Sequence, residues 1–157
     1  MSNLIILNKI GANDPIFDVV VPANTKNGHL VVLGVQNADR TYASAAPAAV
    51  TTRSMVMVLD VPFSYESDKL ENEHIIATGQ VARAYTPVVG RVVSIPTVNI
   101  TATAALAVGR VVVPRATFTQ PECLNAVVGT EEVVYVIDEL FTKAGVPMVK
   151  LRCVKSY

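Results

Sequence analysis

Short runs of valine and isoleucine, interrupted by glycine and proline, dominate the sequence. Valine occurs 28 times in 157 residues, and the nine prolines and eight glycines fall mostly between the apolar runs. β-Branched side chains favour extended backbone, and glycine and proline mark the turns between strands. Few stretches keep a helical period for the roughly ten residues that a stable helix needs. The sequence therefore predicts a mainly β chain, an antiparallel β-barrel or β-sandwich of β-tulip-like form, with one short helix and long loops.

Three of the apolar runs begin with the same short pattern of a glycine, a basic or imidazole side chain and then β-branched residues. They are GHLVVLG at 28–34, GRVVSIP at 90–96 and GRVVVPR at 109–115. Glycine tolerates the positive φ of a tight turn, so each pattern predicts a turn followed by a strand. None leads into a helix, which a phosphate-binding loop requires. The second and third copies are expected to be consecutive strands of a meander.

Periodicity and composition place the individual strands. Alternation of Val149, Leu151 and Cys153 with Lys150 and Arg152 predicts a strand with one buried face. The stretch at 131–145 also fits a helix ending at Gly145, but its β-branched run favours a strand over 131–141. TKAGVP, at 142–147, is short enough to close a hairpin. Strands are predicted at residues 4–7, 16–21, 30–35, 55–61, 80–85, 97–103, 131–141 and 146–155.

Three other segments differ in composition from the predicted strands. The helix prediction covers 119–129, with Thr119 as its cap, Pro121 in its first turn and Gly129 at its end. Residues 37–52 are rich in alanine and are expected to form a long surface loop. A second polar loop is expected at 64–73.

The length predicts one domain. Residues 1–15 form either an N-terminal arm or a first strand, and residues 16–157 form a single β-rich domain. Within it, the C-terminal hairpin at 130–157 either packs on the main body or makes a separate lobe. Both arrangements fit the sequence.

Charge and hydropathy restrict the partners. Thirteen basic and thirteen acidic residues cancel, without the basic excess that nucleic-acid binding requires. No apolar stretch reaches the roughly 18 residues of a membrane span, and no secretion signal is evident. A mean hydropathy of +0.41 is high for a soluble monomer, which favours a homo-oligomer or a covered surface. The chain is therefore expected to bind neither nucleic acid nor membrane.

Side chains capable of chemistry are few and lack a recognisable arrangement. Cys123 and Cys153 have no CxxC spacing and are expected to be buried free thiols. His29 and His74 are the only histidines, and a small hydrolase would need one of them beside a carboxylate. The carboxylates considered for that role are Asp18, Asp60 and Glu73. A cluster of Glu66, Asp68, Glu71 and Glu73 is a solvated loop or a cation site, without the pattern of an EF-hand. The chain is predicted not to be an enzyme and to need no cofactor or metal.

The middle of the chain resembles the capsid decoration proteins of tailed bacteriophages, also called cement or auxiliary proteins. The resemblance covers residues 19–115 and lies in NGHLVVLG, YASAAPAAV, GRVVSIP and GRVVVPR. It implies a non-enzymatic virion protein, made in the host cytoplasm, that binds the outer surface of the capsid. Its partner would be the major capsid protein, and it would stabilise contacts between coat subunits, with a homotrimer favoured. The alternative is a β-rich protein- or polysaccharide-binding module of a phage tail or baseplate.

The N-terminal segment is the candidate site for binding a partner. Leu4, Ile5, Ile6 and Leu7 form an apolar run able to add an edge strand to a neighbouring sheet. An ordinary first strand within the domain is the alternative for the same residues.

Overall fold

In a computed structural model, the chain forms a small closed barrel beside an open sheet. The structure describes residues 6–7, 16–60 and 75–156. The prediction of a mainly β protein is confirmed, and the helix found in these residues is a single 3-10 turn, Thr97–Asn99. The strands in chain order are β1 (Ile6–Leu7), β2 (Ile16–Val20), β3 (Leu30–Gln36), β4 (Tyr42–Ala45), β5 (Met55–Val58), β6 (Val81–Tyr85), β7 (Val92–Pro96), β8 (Val111–Arg115), β9 (Phe118–Leu124), β10 (Val134–Lys143) and β11 (Val146–Lys155).

Five strands close the barrel in the order β2-β4-β3-β5-β6. Pairing of β2 with β6 completes the ring. All pairs are antiparallel except β2 with β4, in which Val19 lies beside Tyr42 in parallel register. The barrel is therefore mixed, whereas the sequence led us to expect an antiparallel one.

The second unit is a six-stranded antiparallel sheet in the order β1-β7-β11-β10-β8-β9. Its centre is the long hairpin of β10 and β11, closed by the two-residue turn Ala144–Gly145 as the sequence predicted. Both turn residues have positive φ, 50° and 81°, which is the type I′ geometry favoured in tight hairpins. The helix alternative for 131–145 is wrong, because these residues supply β10.

The start of β3 and all of β5 are buried on both faces, which explains why these stretches are continuously apolar. Leu30 of β3 and Met57 of β5 pack against the sheet in the larger core, with Ile95 and Leu151. Their neighbours in the barrel strands point into the barrel, where valine and alanine fill the narrow interior. In β11, Val149, Leu151 and Cys153 are buried as predicted. Barrel and sheet thus share one core.

Four turns before strands have the same hydrogen-bonded geometry. In each, a glycine with positive φ occupies the third position, and its N–H donates to a carbonyl of the adjacent strand. Gly90, for example, donates to the Cys153 carbonyl over 2.8 Å, and the Cys153 N–H donates to the Arg91 carbonyl over 2.8 Å. This is a G1 β-bulge, which needs glycine at the bulged position. The turns are 26–29, 77–80, 88–91 and 107–110.

The bulges confirm the predicted glycine turns before three valine runs, and Gly79 adds a fourth that the pattern did not reveal. The predicted meander is wrong. β7 and β8 follow one another in the chain, but the β10–β11 hairpin lies between them in the sheet. Each of the two glycine turns docks against a different arm of that hairpin.

The helix predicted at 119–129 is wrong, because residues 118–124 form β9. Thr119, Pro121 and Cys123 are buried along this strand, at every second position. Proline is tolerated because β9 is the outer strand of the sheet, where a missing N–H costs no ladder bond. Pairing with β8 therefore outweighs the local capping pattern.

The strand predicted at 97–103 is also wrong. Residues 97–99 form the 3-10 turn, and Thr101 makes only an isolated bridge to Glu122. Asn99 and Ile100 are both buried and Val98 is exposed, so the side chains do not alternate as in a strand. The reason is that the Asn99 amide bonds to the barrel, so the chain turns inward there.

The alanine-rich segment is only partly a loop, because residues 42–45 form β4. Small side chains suit this position: a Cβ at Gly34 would lie 2.9 Å from the Ala43 carbonyl oxygen. Beyond β4, the carbonyls of Pro47 and Val50 accept hydrogen bonds from the backbone of Thr117 and Glu132. The segment therefore ties the barrel to the sheet.

Candidate functional site

A group of buried polar side chains joins the barrel to the sheet. We call Asn27, His29, Asn99 and Thr119 the joint. His29, at the start of β3, has its Nδ1 3.1 Å from the Thr119 hydroxyl of β9. These two residues are 90 positions apart in the chain, and both are buried.

Asn27 fixes the other side of the joint. Its Nδ2 donates to the Asp60 carbonyl, and its Oδ1 accepts the Asp60 N–H over 2.7 Å. The Asn99 amide then donates to the Asn27 carbonyl over 2.9 Å. Buried hydrogen bonds of this kind favour one relative position of the packed elements. Among the described residues, Asn99 Oδ1 has no hydrogen-bond partner.

The histidine in the joint is held neutral. Burial, followed by the nearby Lys26 ammonium, lowers the pKa of His29 from 6.5 to about 4. Among the described residues its Nε2 has no hydrogen-bond partner, so a second N–H there would meet no acceptor. Its Nδ1 bonds to the Thr119 hydroxyl, whereas the hydrolase hypothesis requires a carboxylate beside the histidine.

Both cysteines lie in the core shared by barrel and sheet, and both are free thiols, as predicted. Burial raises the pKa of Cys123, and burial raises that of Cys153 to about 11. Cys123 is also not near a helix N-terminus, because the helix predicted at 119–129 is absent and Cys123 lies in β9. A thiol with a raised pKa is a poor nucleophile at neutral pH.

Several candidate residues lie outside the described part of the chain. They are His74, the four carboxylates Glu66, Asp68, Glu71 and Glu73, and Leu4 and Ile5 of the N-terminal run. Within residues 16–60 and 75–156, no group of three or more histidine, cysteine or acidic side chains is placed to hold a metal ion.

The described part of the N-terminal run is placed at the edge of the sheet. Ile6 pairs with Ser94 and Leu7 with Val93, antiparallel to β7 of the same chain. Backbone pairing therefore holds these two residues, and whether they also pair with another protein stays a prediction.

A buried glutamate organises the loop between β9 and β10, which we call the valine loop (125–132). Glu131 is 2% exposed, and its two carboxylate oxygens accept the backbone N–H groups of Val128 and Gly129, at 2.8 and 2.9 Å. The Lys155 ammonium donates to the Glu131 carbonyl. Burial alone would raise the pKa of Glu131, but the N–H donors and Lys155 outweigh it, so the pKa is lowered.

The valine loop presents apolar side chains to solvent. Val128 is 78% exposed, and Val127 beside it is exposed as well. Sequence reasoning missed this arrangement, because its only signal is a glutamate two positions after a glycine. The Glu131 carboxylate fixes the backbone of the loop through its bonds to the Val128 and Gly129 N–H groups, so the exposed Val128 side chain is held in a defined position.

Two glycine turns carry valine in the same way. Val89 and Val108 are the second residues of turns 88–91 and 107–110, and they are 59% and 65% exposed. Turn tips normally carry polar residues, glycine or proline, because these positions face water. We call Val89, Val108 and Val128 the tip valines. They are the candidate contact residues of the protein.

No protein-family model matches the chain, and no curated protein matches it. Among the residues that the structure describes, no helix has the length and apolar character needed to cross a membrane.

Proposed function

We propose that the chain is a structural protein of a phage particle, which binds the outer surface of the capsid and stabilises contacts between coat subunits. The observation that carries the proposal is the tip valines. An apolar side chain on an exposed turn costs free energy in water, and this cost is removed when a partner covers it. The coat subunits on the outer surface of a capsid would be such a partner.

The rigidity of the three turns supports this role. Two are fixed by paired backbone bonds to the central hairpin, and the third by the Glu131 carboxylate. Side chains on rigid supports lose little further conformational freedom when they bind. Weak contacts that bridge several coat subunits add up, since release requires all of them to open together.

Co-sedimentation tests the proposal. Purified protein is mixed with expanded, undecorated shells of the same phage, and binding is measured over a range of concentrations. We expect saturable binding. Replacing a tip valine that contacts the shell by serine (Val89→Ser, Val108→Ser or Val128→Ser) should weaken the binding about tenfold.

The matched control is Val35→Ser, because Val35 is 77% exposed but lies in β3 and not at a turn tip. Absence of binding to shells would contradict the function. Equal weakening by Val35→Ser would contradict the assignment of the contact to the turn tips. Binding to tail or baseplate preparations instead would support the alternative module, and the homotrimer stays a prediction.

A further inference from the structure

Two of the glycine turns bond to the central hairpin through the same pair of backbone hydrogen bonds. The turn of Gly90 bonds to Cys153 in β11, whose N–H and C=O both take part. The turn of Gly109 bonds in the same way to Ile137 in β10, with N···O distances of 2.8 and 2.9 Å. Each arm of the hairpin is therefore flanked by one such turn and by the strand that follows it, β7 or β8.

The register of the sheet obeys a local twofold axis, perpendicular to the sheet and passing through the pair Val136–Arg152. Rotation about this axis exchanges β10 with β11, β8 with β7 and β9 with β1. The two β-bulges of the hairpin also exchange, since the extra residue is Asp138 in β10 and Val154 in β11. The residue pairs that exchange are Tyr135–Cys153 with Ile137–Leu151, Val111–Val136 with Val92–Arg152, Val112–Tyr135 with Val93–Leu151, and Val134–Lys155 with Glu139–Lys150.

Valine at the second position of these turns is not required by the turn geometry. The two barrel turns with the same bonding carry polar residues at that position, Asn27 and Thr78. The two sheet turns carry Val89 and Val108, which are 59% and 65% exposed. Among the four turns, the apolar side chain therefore occurs only in the two that the axis relates.

The symmetry restricts the kind of partner that can cover both valines. A rotation about an axis perpendicular to the sheet leaves each face of the sheet on the same side, so Val89 and Val108 lie at equivalent positions across the axis. The spacing of strands in a sheet puts their turns about 16 Å apart. One asymmetric partner would need two different sites to cover both valines, whereas two copies related by a twofold axis need one site used twice.

We propose that the sheet binds two copies of one coat subunit, related by a local twofold axis of the capsid that coincides with the axis through Val136 and Arg152. Val89 contacts one copy, and Val108 contacts the same site on the other copy. One rigid chain then holds two subunits together, and release requires both contacts to open. This inference deepens the proposed function and rests on it, because the coat subunits are the partner.

Site-directed cross-linking tests which part of the coat subunit each turn contacts. Val89→Cys and Val108→Cys are each labelled with a thiol-reactive photo-cross-linker, mixed with expanded, undecorated shells and illuminated. We expect both variants to cross-link to the same coat-subunit peptide, which mass spectrometry identifies. The two native cysteines are buried, and burial raises the pKa of each thiol, so the label reacts mainly at the introduced cysteine.

Val35→Cys is the matched control, because Val35 is 77% exposed but lies in β3 and outside the symmetric part of the sheet. It should give no cross-link to that peptide. Different peptides from positions 89 and 108, or a cross-link from only one of them, would overturn the inference. So would the absence of cross-links in samples that sediment with shells, and in each of these cases the proposed function stands. Labelled protein that does not sediment with shells would contradict the proposed function as well.

Serine variants supply a second test without a label. Val89→Ser and Val108→Ser should weaken shell binding by the same factor, about tenfold. The double variant should weaken it about a hundredfold, since the two contacts are on separate subunits and their effects add. Saturated shells should hold no more than one chain for every two coat subunits. Unequal effects of the single variants, or a double variant no weaker than the singles, would overturn the inference while shell binding itself remains.

Discussion

The joint and the valine loop each bury one titratable side chain, but they treat its charge in opposite ways. Burial, and then the nearby Lys26 ammonium, lower the pKa of the His29 imidazole to about 4, and its Nδ1 bonds to a hydroxyl. Glu131 meets two N–H groups and an ammonium, and its pKa is also lowered, which for a carboxyl favours the charged form. The joint is therefore a neutral contact between two packed units, whereas the valine loop is folded around a charge.

The difference teaches what each region depends on. The joint depends on close packing, since a charge or an added atom there has no space or partner. The conformation of the valine loop depends on the charge of Glu131, and the valine side chains of the loop are exposed to solvent. Changes to the joint should therefore affect the stability of the whole chain, whereas changes to the loop should act mainly on the turn that it holds.

The largest effect is expected from Gly28→Ala, at the edge of the joint. Gly28 has φ of 90°, and a Cβ there would lie 2.2 Å from Cδ1 of the buried Ile95. Backbone strain and overpacking together should lower the free energy of unfolding by about 3–4 kcal/mol. Denaturant unfolding measures this change.

Gly109→Ala separates the two causes. Gly109 has nearly the same φ, 84°, but nothing lies within 4 Å of its Cβ position. Only the strain of about 1–2 kcal/mol should remain. Equal losses for the two variants would show that Ile95 yields readily and that the joint is not closely packed.

The second prediction concerns the pH dependence that His29 produces. The unfolded chain takes up a proton at His29 near pH 6.5, and the folded chain only near pH 4. Acid therefore favours the unfolded state: the contribution of His29 to the free energy of unfolding should be constant above pH 6.5 and fall by up to about 3 kcal/mol between pH 6.5 and 4. Chemical unfolding at a series of pH values measures this slope.

His29→Gln is the matched variant, because glutamine retains hydrogen-bonding capacity without a titrating ring. Its stability should fall less steeply than that of the original chain across the same pH range. Parallel curves would mean that His29 is not the group responsible and that the joint accommodates a charge as the valine loop does.

The same comparison shows which features sequence reasoning could reach. The glycine turns and the alternation in β11 were predictable, because turn geometry and strand period depend on adjacent residues. The joint was not, since the His29–Thr119 bond spans 90 positions. Residues 119–129 illustrate the reason: proline and threonine there fit a helix start locally, but pairing with β8 makes a strand. The Glu131 loop is local, yet a glycine and a glutamate two positions apart are too common to predict it.

The third prediction concerns Glu131→Gln, which tests the other half of the comparison. Glutamine keeps one acceptor oxygen but loses the charge that strengthens both N–H bonds. The free energy of unfolding should fall by about 2 kcal/mol at neutral pH. Amide hydrogen exchange should speed up at Val128 and Gly129, while exchange in β3 follows only the global loss. The matched control is Glu122→Gln, because the Glu122 carboxylate accepts a hydrogen bond from the exposed Thr103 hydroxyl. This variant should not change hydrogen exchange at Val128 or Gly129.

The pH dependence of this variant distinguishes the valine loop from the joint. Because the folded-state pKa of Glu131 lies below 4.5, its contribution is present above pH 4.5 and is lost as the pH falls through the lowered value. The difference between the original chain and Glu131→Gln should therefore stay constant between pH 6.5 and 4.5, where most of the His29 effect appears, and shrink only in stronger acid. A difference that already shrinks between pH 6.5 and 4.5 would mean that the two sites are coupled through the sheet. The valine loop would then be an extension of the joint and not an independent support for the tip valines.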